Sequence, residues 1–290
     1  MPDTYNSILI AGCGDIGCRV AKLWLAKRPD VYGLIRNDQH IGRLQGAGIR
    51  TLVADLDDPS SLKNLDIHQA LIYYFAPPPN QGVIDTRISS FITAIQAMVP
   101  QRIIYISTSG VYGDCHGAWV TEDEAVKPSA ERSRRRLDAE QKLESYCQRT
   151  DAELVILRVP GIYGCDRLPV ARIKQGRSVV KDHNAFTNRI HEDDLARICV
   201  AAGEKNTPAT IYNVSDGQPG TMAQYFTETA RALNLPLPPE ISWQEAQRVM
   251  SPEMLSYLSE SRRIDNSKMI EELGIKLLYP NLHAGLAACV

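Results

Sequence analysis

The sequence predicts an α/β fold, a doubly wound parallel sheet with a smaller C-terminal lobe, from three observations. Short apolar runs alternate with longer amphipathic runs through residues 1–164, as strands alternate with crossover helices. A glycine-rich turn joins the first apolar run to the first amphipathic one. After about Tyr163 the alternation stops, and proline-punctuated segments follow. The 290 residues, 44% of them hydrophobic, suffice for one large core and an appended lobe.

The elements follow in order from this pattern. Strands are predicted over six apolar runs, Ser7–Ala11, Val31–Ile35, Arg50–Ala54, Ala70–Phe75, Arg102–Ser107 and Glu153–Val159. Helices are predicted between them from amphipathic spacing, over Ile16–Lys27, Gln39–Gln45, Ser60–Leu65, Asp85–Met98 and Glu131–Gln148. Strands that alternate with helices in this way form parallel sheets through right-handed crossovers.

The same alternation divides the chain. Residues 1–164 are expected to form the first domain and residues 165–290 the smaller lobe of substrate-binding type. A helix over Glu192–Gly203 and an apolar strand over Thr210–Val214 are expected to bring residues 187–215 back to the first domain.

Composition excludes several classes of partner. The 32 basic and 34 acidic residues nearly cancel, so no global field favours nucleic acid or an anionic membrane surface. No apolar run reaches the roughly 20 residues of a membrane span, and Met1–Ser7 lacks the pattern of a signal peptide. We therefore expect a cytoplasmic protein with a small-molecule substrate, without nucleic-acid or membrane partners.

The cysteines give no pairing signal. There are seven, at positions 13, 18, 115, 147, 165, 199 and 289, and none forms a C-x-x-C motif. The sequence therefore predicts reduced thiols, with no disulfide and no metal site. Cys13 and Cys18 flank the glycine turn, where oxidation could block a ligand, although packing is the commoner role of such residues.

The glycine turn carries the first functional prediction. Gly12-Cys13-Gly14-Asp15-Ile16-Gly17 reads G-x-G-x-x-G directly after a predicted strand and before a predicted helix. In that context Gly12 permits the tight turn, Gly14 lets the backbone approach a pyrophosphate, and Gly17 lets helix and strand pack closely. Asp15 and Ile16 complete the loop. The motif predicts a Rossmann-type dinucleotide site, and the alternative is a glycine-rich turn without ligand.

Two later positions refine the cofactor prediction. Arg36 directly follows the second strand. At that position an acidic side chain would accept hydrogen bonds from the ribose diol of NAD, whereas an arginine would pair with the 2′-phosphate of NADP. NADP is therefore favoured, and NAD stays an alternative. Asp55, followed by Leu56 after the third strand, could accept from the adenine amino group or cap the next helix.

The chain then resembles the extended short-chain dehydrogenase/reductases, the NAD-dependent epimerase/dehydratase family, along most of its length. The matching segments come in the family's order: Gly12–Gly17, Asp55-Leu56, Tyr105–Gly113, Leu157–Gly164, Arg189–Ala196 and Tyr212–Asp216. The resemblance implies that Thr108, three residues before Val111-Tyr112-Gly113, holds a substrate carbonyl or hydroxyl. Thr108 also ends a central strand, where open sheets bind ligands. The alternative is a threonine whose hydroxyl only caps the backbone at the end of the strand.

The chain departs from the family at its acid/base pair. The family uses Tyr-x-x-x-Lys, whereas none of the ten lysines here has a tyrosine four residues earlier. Aligned on Leu137 and Glu140, the resemblance places Arg132 at the tyrosine position and Arg136 at the lysine position. Arginine stays protonated at neutral pH and cannot replace the tyrosine. One turn apart, the two arginines could clamp a carboxylate or phosphate, or form a solvated basic face.

Two functions fit these residues. The first is an NADP-dependent oxidoreductase, or an epimerase-like enzyme, on a small hydroxylated or anionic substrate. Its acid/base group is then sought among Tyr112, His116, Tyr163 and His183. The second is a catalytically inactive dinucleotide-sensing protein. The resemblance further implies a homodimer.

Overall fold

A computed structural model describes residues 5–63, 65, 67–204 and 211–290. Thr210, the first residue of a predicted strand, and Asn64, within the predicted helix Ser60–Leu65, lie outside the described residues. The described strands are β1 Ile8–Ala11, β2 Val31–Ile35, β3 Arg50–Val53, β4 Leu71–Tyr74, β5 Arg102–Thr108, β6 Trp119–Val120, β7 Glu153–Val159, β8 Gly161–Tyr163, β9 Val179–Val180, β10 Arg189–His191, β11 Ile211–Asn213, β12 Glu240–Ile241 and β13 Arg263–Ile264. The described α-helices are α1 Asp15–Leu25, α2 Ile41–Gly46, α3 Thr86–Ile95, α4 Glu131–Arg149, α5 Val170–Lys174, α6 Glu192–Glu204, α7 Met222–Ala232, α8 Trp243–Val249, α9 Pro252–Leu258, α10 Ser267–Leu273 and α11 Leu282–Ala287.

Seven strands form the central sheet, in the order β11-β7-β5-β4-β1-β2-β3. The pairs β1–β2, β1–β4, β2–β3 and β4–β5 are parallel. The strand order runs outward in opposite directions from β1 and β4, so the topological switch point lies between these two strands. All four residues of β1 and of β4 are buried, as expected for a parallel sheet covered on both faces. The predicted α/β fold with a parallel sheet is confirmed.

Two predicted helices take another form. The predicted helix Gln39–Gln45 is a 3₁₀ turn over Asp38–His40 followed by α2. In place of the predicted helix Ser60–Leu65 there is a 3₁₀ turn over Pro59–Leu62. In that turn the Ser60 hydroxyl donates to the Asp58 carboxylate and the Ser61 hydroxyl to the Asp58 carbonyl, each over 2.7 Å. Serine side chains compete in this way with helical backbone bonds.

The chain divides into two compact units. The first comprises residues 1–111, 131–158 and 195–212 and holds the central sheet. A buried chain of hydrogen bonds fastens helices to this sheet, because Trp24 of α1 donates to the Tyr73 hydroxyl (2.8 Å), which donates to the Cys199 carbonyl of α6 (3.1 Å). Residues 195–204 of the stretch expected to return to the first domain therefore pack in the first unit.

The second unit comprises residues 112–130, 159–194 and 213–290. It contains three short parallel strand pairs, β8–β10, β9–β12 and β6–β13, and the helices α5 and α7 to α11. One of its apolar clusters joins Ile173 and Val179 to Phe226 and Ala230 of α7. The sequence predicted only loop and helix for much of this unit, because two-residue strands leave no alternation to detect.

The prediction that all cysteines are reduced is wrong for one pair. The sulfurs of Cys165 and Cys289 form a disulfide, with their Cα atoms 5.0 Å apart. The two residues are 124 positions apart in the sequence, and scattered spacing does not reveal which cysteines meet in the fold. Cys13, Cys18, Cys115, Cys147 and Cys199 carry free thiols.

None of the helices in the described part of the chain combines the length and the hydropathy that crossing a bilayer requires.

Candidate functional site: a dinucleotide cradle at the switch point

Gly12 closes the turn between β1 and α1. Its φ of +88° lies in the left-handed region, and a Cβ there would lie 2.5 Å from the Ala76 amide nitrogen. Ala76 follows β4, so this contact joins the two strands that flank the switch point. Only glycine satisfies both the dihedral angle and the close approach.

Gly14 and Gly17 have the two remaining tasks of the motif. Gly14 precedes the first residue of α1, and a Cβ on it would meet no atom within 4 Å. A Cβ on Gly17 would lie 3.0 Å from the Gly12 carbonyl oxygen. Gly14 thus borders open space at a helix N-terminus, where backbone N–H groups attract phosphate, whereas Gly17 packs the helix against the strand. Asp15 pairs with Arg19 (3.3 Å), and Ile16 is buried.

The segments after β2 and β3 bring charged residues to the same edge of the sheet. Arg36 is exposed directly after β2. The Asp55 carboxylate accepts from the Asp57 amide (3.0 Å), and Leu56 is buried. Asp55 thus bonds within its own turn, whereas Asp58 caps the 3₁₀ turn that follows, so the capping alternative for Asp55 is wrong and its adenine role stays a prediction.

Arg87 of α3 is a residue of this edge that the sequence did not single out. It grips Asp57 with two hydrogen bonds (2.8 and 2.6 Å) and donates to the Pro77 carbonyl (3.0 Å). The hydrogen bond from Arg87, more than the nearby charge of Arg36, lowers the pKa of Asp57. Arg87 therefore ties the loop after β3 to the proline-rich passage after β4.

Thr108 ends β5, as the resemblance implied. Its hydroxyl oxygen accepts from the Gly110 amide (3.1 Å). A Cβ on Gly110 would lie 3.3 Å from that oxygen and 2.6 Å from the Ser133 hydroxyl of α4. The buried Ser133 hydroxyl therefore lies close to Thr108, a neighbour that sequence reasoning missed. A serine in a basic helix start gave no signal for it.

The two arginines of the predicted clamp differ in their surroundings. Arg136 donates to the Ile106 carbonyl (3.0 Å) and the Tyr105 hydroxyl (3.3 Å), and its guanidinium lies 5.8 Å from the Tyr105 ring centroid. Arg136 is thus engaged with β5. Burial raises the pKa of Tyr105 to about 12, although the Arg136 charge opposes the rise. Arg132 lies half-buried in the first turn of α4, next to Ser133.

A buried ion pair lies under the Thr108 end of the sheet. Glu140 of α4 accepts from Arg158 of β7 through both oxygens (3.3 and 2.8 Å) and from the Ser107 hydroxyl of β5. All three residues are buried. Sequence reasoning used Glu140 only as an alignment anchor. Arg158, a charged residue inside a largely apolar strand, could have indicated the ion pair from the sequence, because a buried charge requires a partner.

The four alternative titratable groups all lie in the second unit, three of them in structural roles. The Tyr112 hydroxyl bonds Asn213 (2.8 Å), and the Tyr163 hydroxyl donates to the Asn281 carbonyl (3.2 Å). His183 stacks on Trp243, with ring centroids 4.1 Å apart. His116 is exposed and lies 3.0 Å from Asp114. Burial raises the pKa of Tyr163, which disfavours a tyrosinate at neutral pH.

The comparison with protein families decides the cofactor class. A sequence model of the NAD(P)H-binding proteins matches residues 12–206, from the first glycine of the cradle through α6. The chain belongs to this NAD(P)H-binding family. The dinucleotide class predicted from the glycine loop is therefore confirmed, whereas the choice between NADP and NAD stays a prediction.

Similar proteins extend the match to the whole chain. A protein of Silicibacter pomeroyi is 29% identical, with a TM-score of 0.85 over 98% of this chain and 97% of that one. A structure from Methylobacillus flagellatus assigned to the NAD-dependent epimerase/dehydratases is 26% identical, with a TM-score of 0.73 over the same shares. Protein y4nG of Sinorhizobium fredii is 29% identical over 131 residues, so the match spans 33% of that relative's length. The resemblance to the epimerase/dehydratase family is confirmed; membership of a subgroup without Tyr-x-x-x-Lys stays a prediction.

Proposed function

We propose that the chain is an NADP-dependent enzyme, an oxidoreductase or an epimerase-like protein, acting on a small hydroxylated or anionic substrate. One observation carries the proposal, the open space beside Gly14 at the N-terminus of α1. The Thr108 hydroxyl supports it, because it lies at the end of β5 in the same unit as the cradle. When bound, the nicotinamide would supply hydride chemistry.

In this proposal the chain's own residues bind and orient. Backbone N–H groups at the start of α1 hold the pyrophosphate, and Arg36 pairs with the 2′-phosphate. Thr108, with Ser133 beside it, holds the substrate hydroxyl or carbonyl, and Arg132 neutralises negative charge on the substrate. Arg136 orients β5 through the Ile106 carbonyl rather than the ligand.

A dinucleotide sensor without catalysis is the second candidate. The lack of a Tyr-x-x-x-Lys pair and the engagement of Arg136 with β5 favour it. Turnover separates the two functions. An oxidoreductase oxidises bound NADPH when a carbonyl substrate is supplied, and an epimerase-like enzyme interconverts stereoisomers of its substrate with no net change in the cofactor. A sensor does neither and leaves NADPH reduced.

Calorimetric titration tests the cofactor preference. NADPH is expected to bind at least several-fold more tightly than NADH, because a charge-assisted bond from Arg36 contributes about 1.5–3 kcal/mol. Arg36→Ala should abolish the difference. Arg50→Ala is the matched control, since Arg50 begins β3 at the opposite edge of the sheet and pairs with Asp30 (3.0 Å). Equal affinities in the wild type, or a preference that survives Arg36→Ala, would remove NADP from the proposal.

A further inference from the structure

Arg189 of β10 is a buried cation in the second unit. The residue is 7% exposed, and desolvation by burial lowers its pKa. Within the described ranges its guanidinium has neither a hydrogen bond nor an ion pair. It lies over the Tyr225 ring of α7, whose centroid is 4.2 Å from the Arg189 Cζ. The side chain is largely withdrawn from water, but its guanidinium nitrogens are not enclosed, so an anion from solution can reach a charge that pairing would stabilise.

The neighbouring acids do not neutralise Arg189. Asp216 and Glu228 act on it only beyond the 4.0 Å reach of an ion pair. The Asp216 carboxylate accepts from the Gln218 amide (2.9 Å) instead. Burial also raises the pKa of Asp216 to about 7, so that at neutral pH this carboxyl carries only part of a negative charge. The positive charge of Arg189 is therefore left largely uncompensated.

Tyr225 adds a second donor without an acceptor. Its hydroxyl has no hydrogen bond to any residue that the structure describes, and solvent reaches it, because the residue is only half-buried. Burial raises the pKa of Tyr225, whereas the charges of Arg189 and of Arg172, on α5, lower it. Two guanidinium groups thus act on one hydroxyl, and α5 packs against α7. Donors and positive charge converge here without an anion to receive them.

We propose that this cluster, Arg189 with Tyr225 and Arg172, is an oxyanion-binding site for a carboxylate or phosphate group. The Arg189 guanidinium provides a planar fork that binds either group through two parallel hydrogen bonds. The Tyr225 hydroxyl donates a further bond, and Arg172 adds positive charge at the exposed rim. The proposal goes beyond the proposed function, because it needs only residues of the second unit and does not depend on the ligand being the substrate.

Direct anion binding to the full chain without NADPH tests the site. Inorganic phosphate and malonate are the two probes, titrated calorimetrically at low ionic strength, and the tighter one identifies the oxyanion class. Arg189→Met is expected to weaken binding at least about tenfold and Arg189→Lys less, because lysine keeps the charge and loses the fork. Tyr225→Phe should weaken binding about threefold. Arg231→Met is the matched control, an exposed arginine on the same helix as Tyr225, and should bind as the wild type does.

The variants also separate binding from folding. Arg189→Met should keep its melting temperature within a few degrees of the wild type in the absence of anion, and should lose the rise that phosphate or malonate gives the wild type. If that variant does not fold, Arg189→Lys and Tyr225→Phe decide, and unchanged affinity in both overturns the site. Equal anion affinity in the wild type and Arg189→Met overturns it as well. NADPH binding is measured separately and should persist in every variant, so that failure of the cofactor proposal is distinguished from failure of this one.

Discussion

At the scale of single residues, the three glycines of one motif serve different needs. Gly12 is required by backbone conformation and by its contact with Ala76, and Gly17 by helix packing. Gly14 has an ordinary φ of −79°, and no atom lies within 4 Å of the position that a Cβ would take there. Its ψ of −143° and its N-cap position favour glycine in the folded protein, but no packing contact requires one, and the open space beside it is where a pyrophosphate is expected.

Substitution should separate these needs. Gly14→Val should still fold, with a free energy of unfolding lowered by about 1 kcal/mol because valine is a poor N-cap residue, and should lose dinucleotide binding, because its side chain would occupy the space of the pyrophosphate. Gly12→Ala should lower the free energy of unfolding by on the order of 2–4 kcal/mol, because alanine meets both a positive φ and a backbone clash. Urea denaturation and calorimetry with NADPH measure the two effects. If Gly14→Val bound the cofactor normally, the glycine loop would be a turn with no role in cofactor binding.

The limits of prediction are visible at the same scale. The positions of Gly12 and Thr108 could be predicted from short motifs, the glycine loop for Gly12 and the family's fifth-strand segment for Thr108. Ser133 could not be located, because its nearness to Thr108 depends on how α4 packs against β5. Arg87 was missed for the same reason, since its partner Asp57 lies 30 positions away in the sequence.

At the scale of elements, the buried Glu140–Arg158 pair joins α4 to β7, and Ser107 adds β5. Removing either partner would deprive the other, a buried charge, of this ion pair. Such a pair holds elements in a fixed register, because small displacements break its hydrogen bonds. The Thr108 end of β5 is positioned by this arrangement.

A double-mutant cycle tests the pair. Glu140→Leu and Arg158→Met should each lower the free energy of unfolding by about 3–5 kcal/mol, because each removes one partner of the buried pair. The double variant Glu140→Leu with Arg158→Met should recover most of the loss. Chemical denaturation of the two single variants and the double variant gives the coupling energy. Strictly additive losses would show that the pair does not act as a unit.

Element prediction succeeded where strands have five or more residues and are largely buried. β2 and β7 have the predicted bounds, because five or more apolar residues between turn residues allow few other structures. The short strands β6, β9 and β12 escaped detection. Two residues carry no periodicity, and their pairing is determined by partners that are distant in the sequence.

At the scale of the whole molecule, Asp216 should shape the pH dependence of stability. Burial raises its pKa from the ordinary 3.8 to about 7; the Gln218 amide and Arg189 oppose the rise, and Asp194 adds to it. The folded state thus binds a proton that the unfolded state releases between these values. Stability contributed by the neutral carboxyl is full below about pH 4 and falls as pH rises to about 7.

Removing this ionisable group should flatten the profile. Asp216→Asn keeps an acceptor for the Gln218 amide and cannot ionise. It should raise the free energy of unfolding at about pH 8 by on the order of 2–4 kcal/mol, and change it little at about pH 4. Denaturation across this pH range measures the difference, with Asp151→Asn as an exposed control. A parallel shift at every pH would contradict the assignment.

The two units alternate along the sequence, and this arrangement limits how such a protein can change during evolution. Each unit is assembled from three separate stretches, and β11, beside β7 in the central sheet, comes from residues 211–213. No single cut in the gene therefore separates one unit from the other. Recombination of one contiguous gene segment therefore cannot replace one whole unit and leave the other intact. Either unit can therefore change only by point substitutions and loop insertions that leave the stretches of the other unit in place.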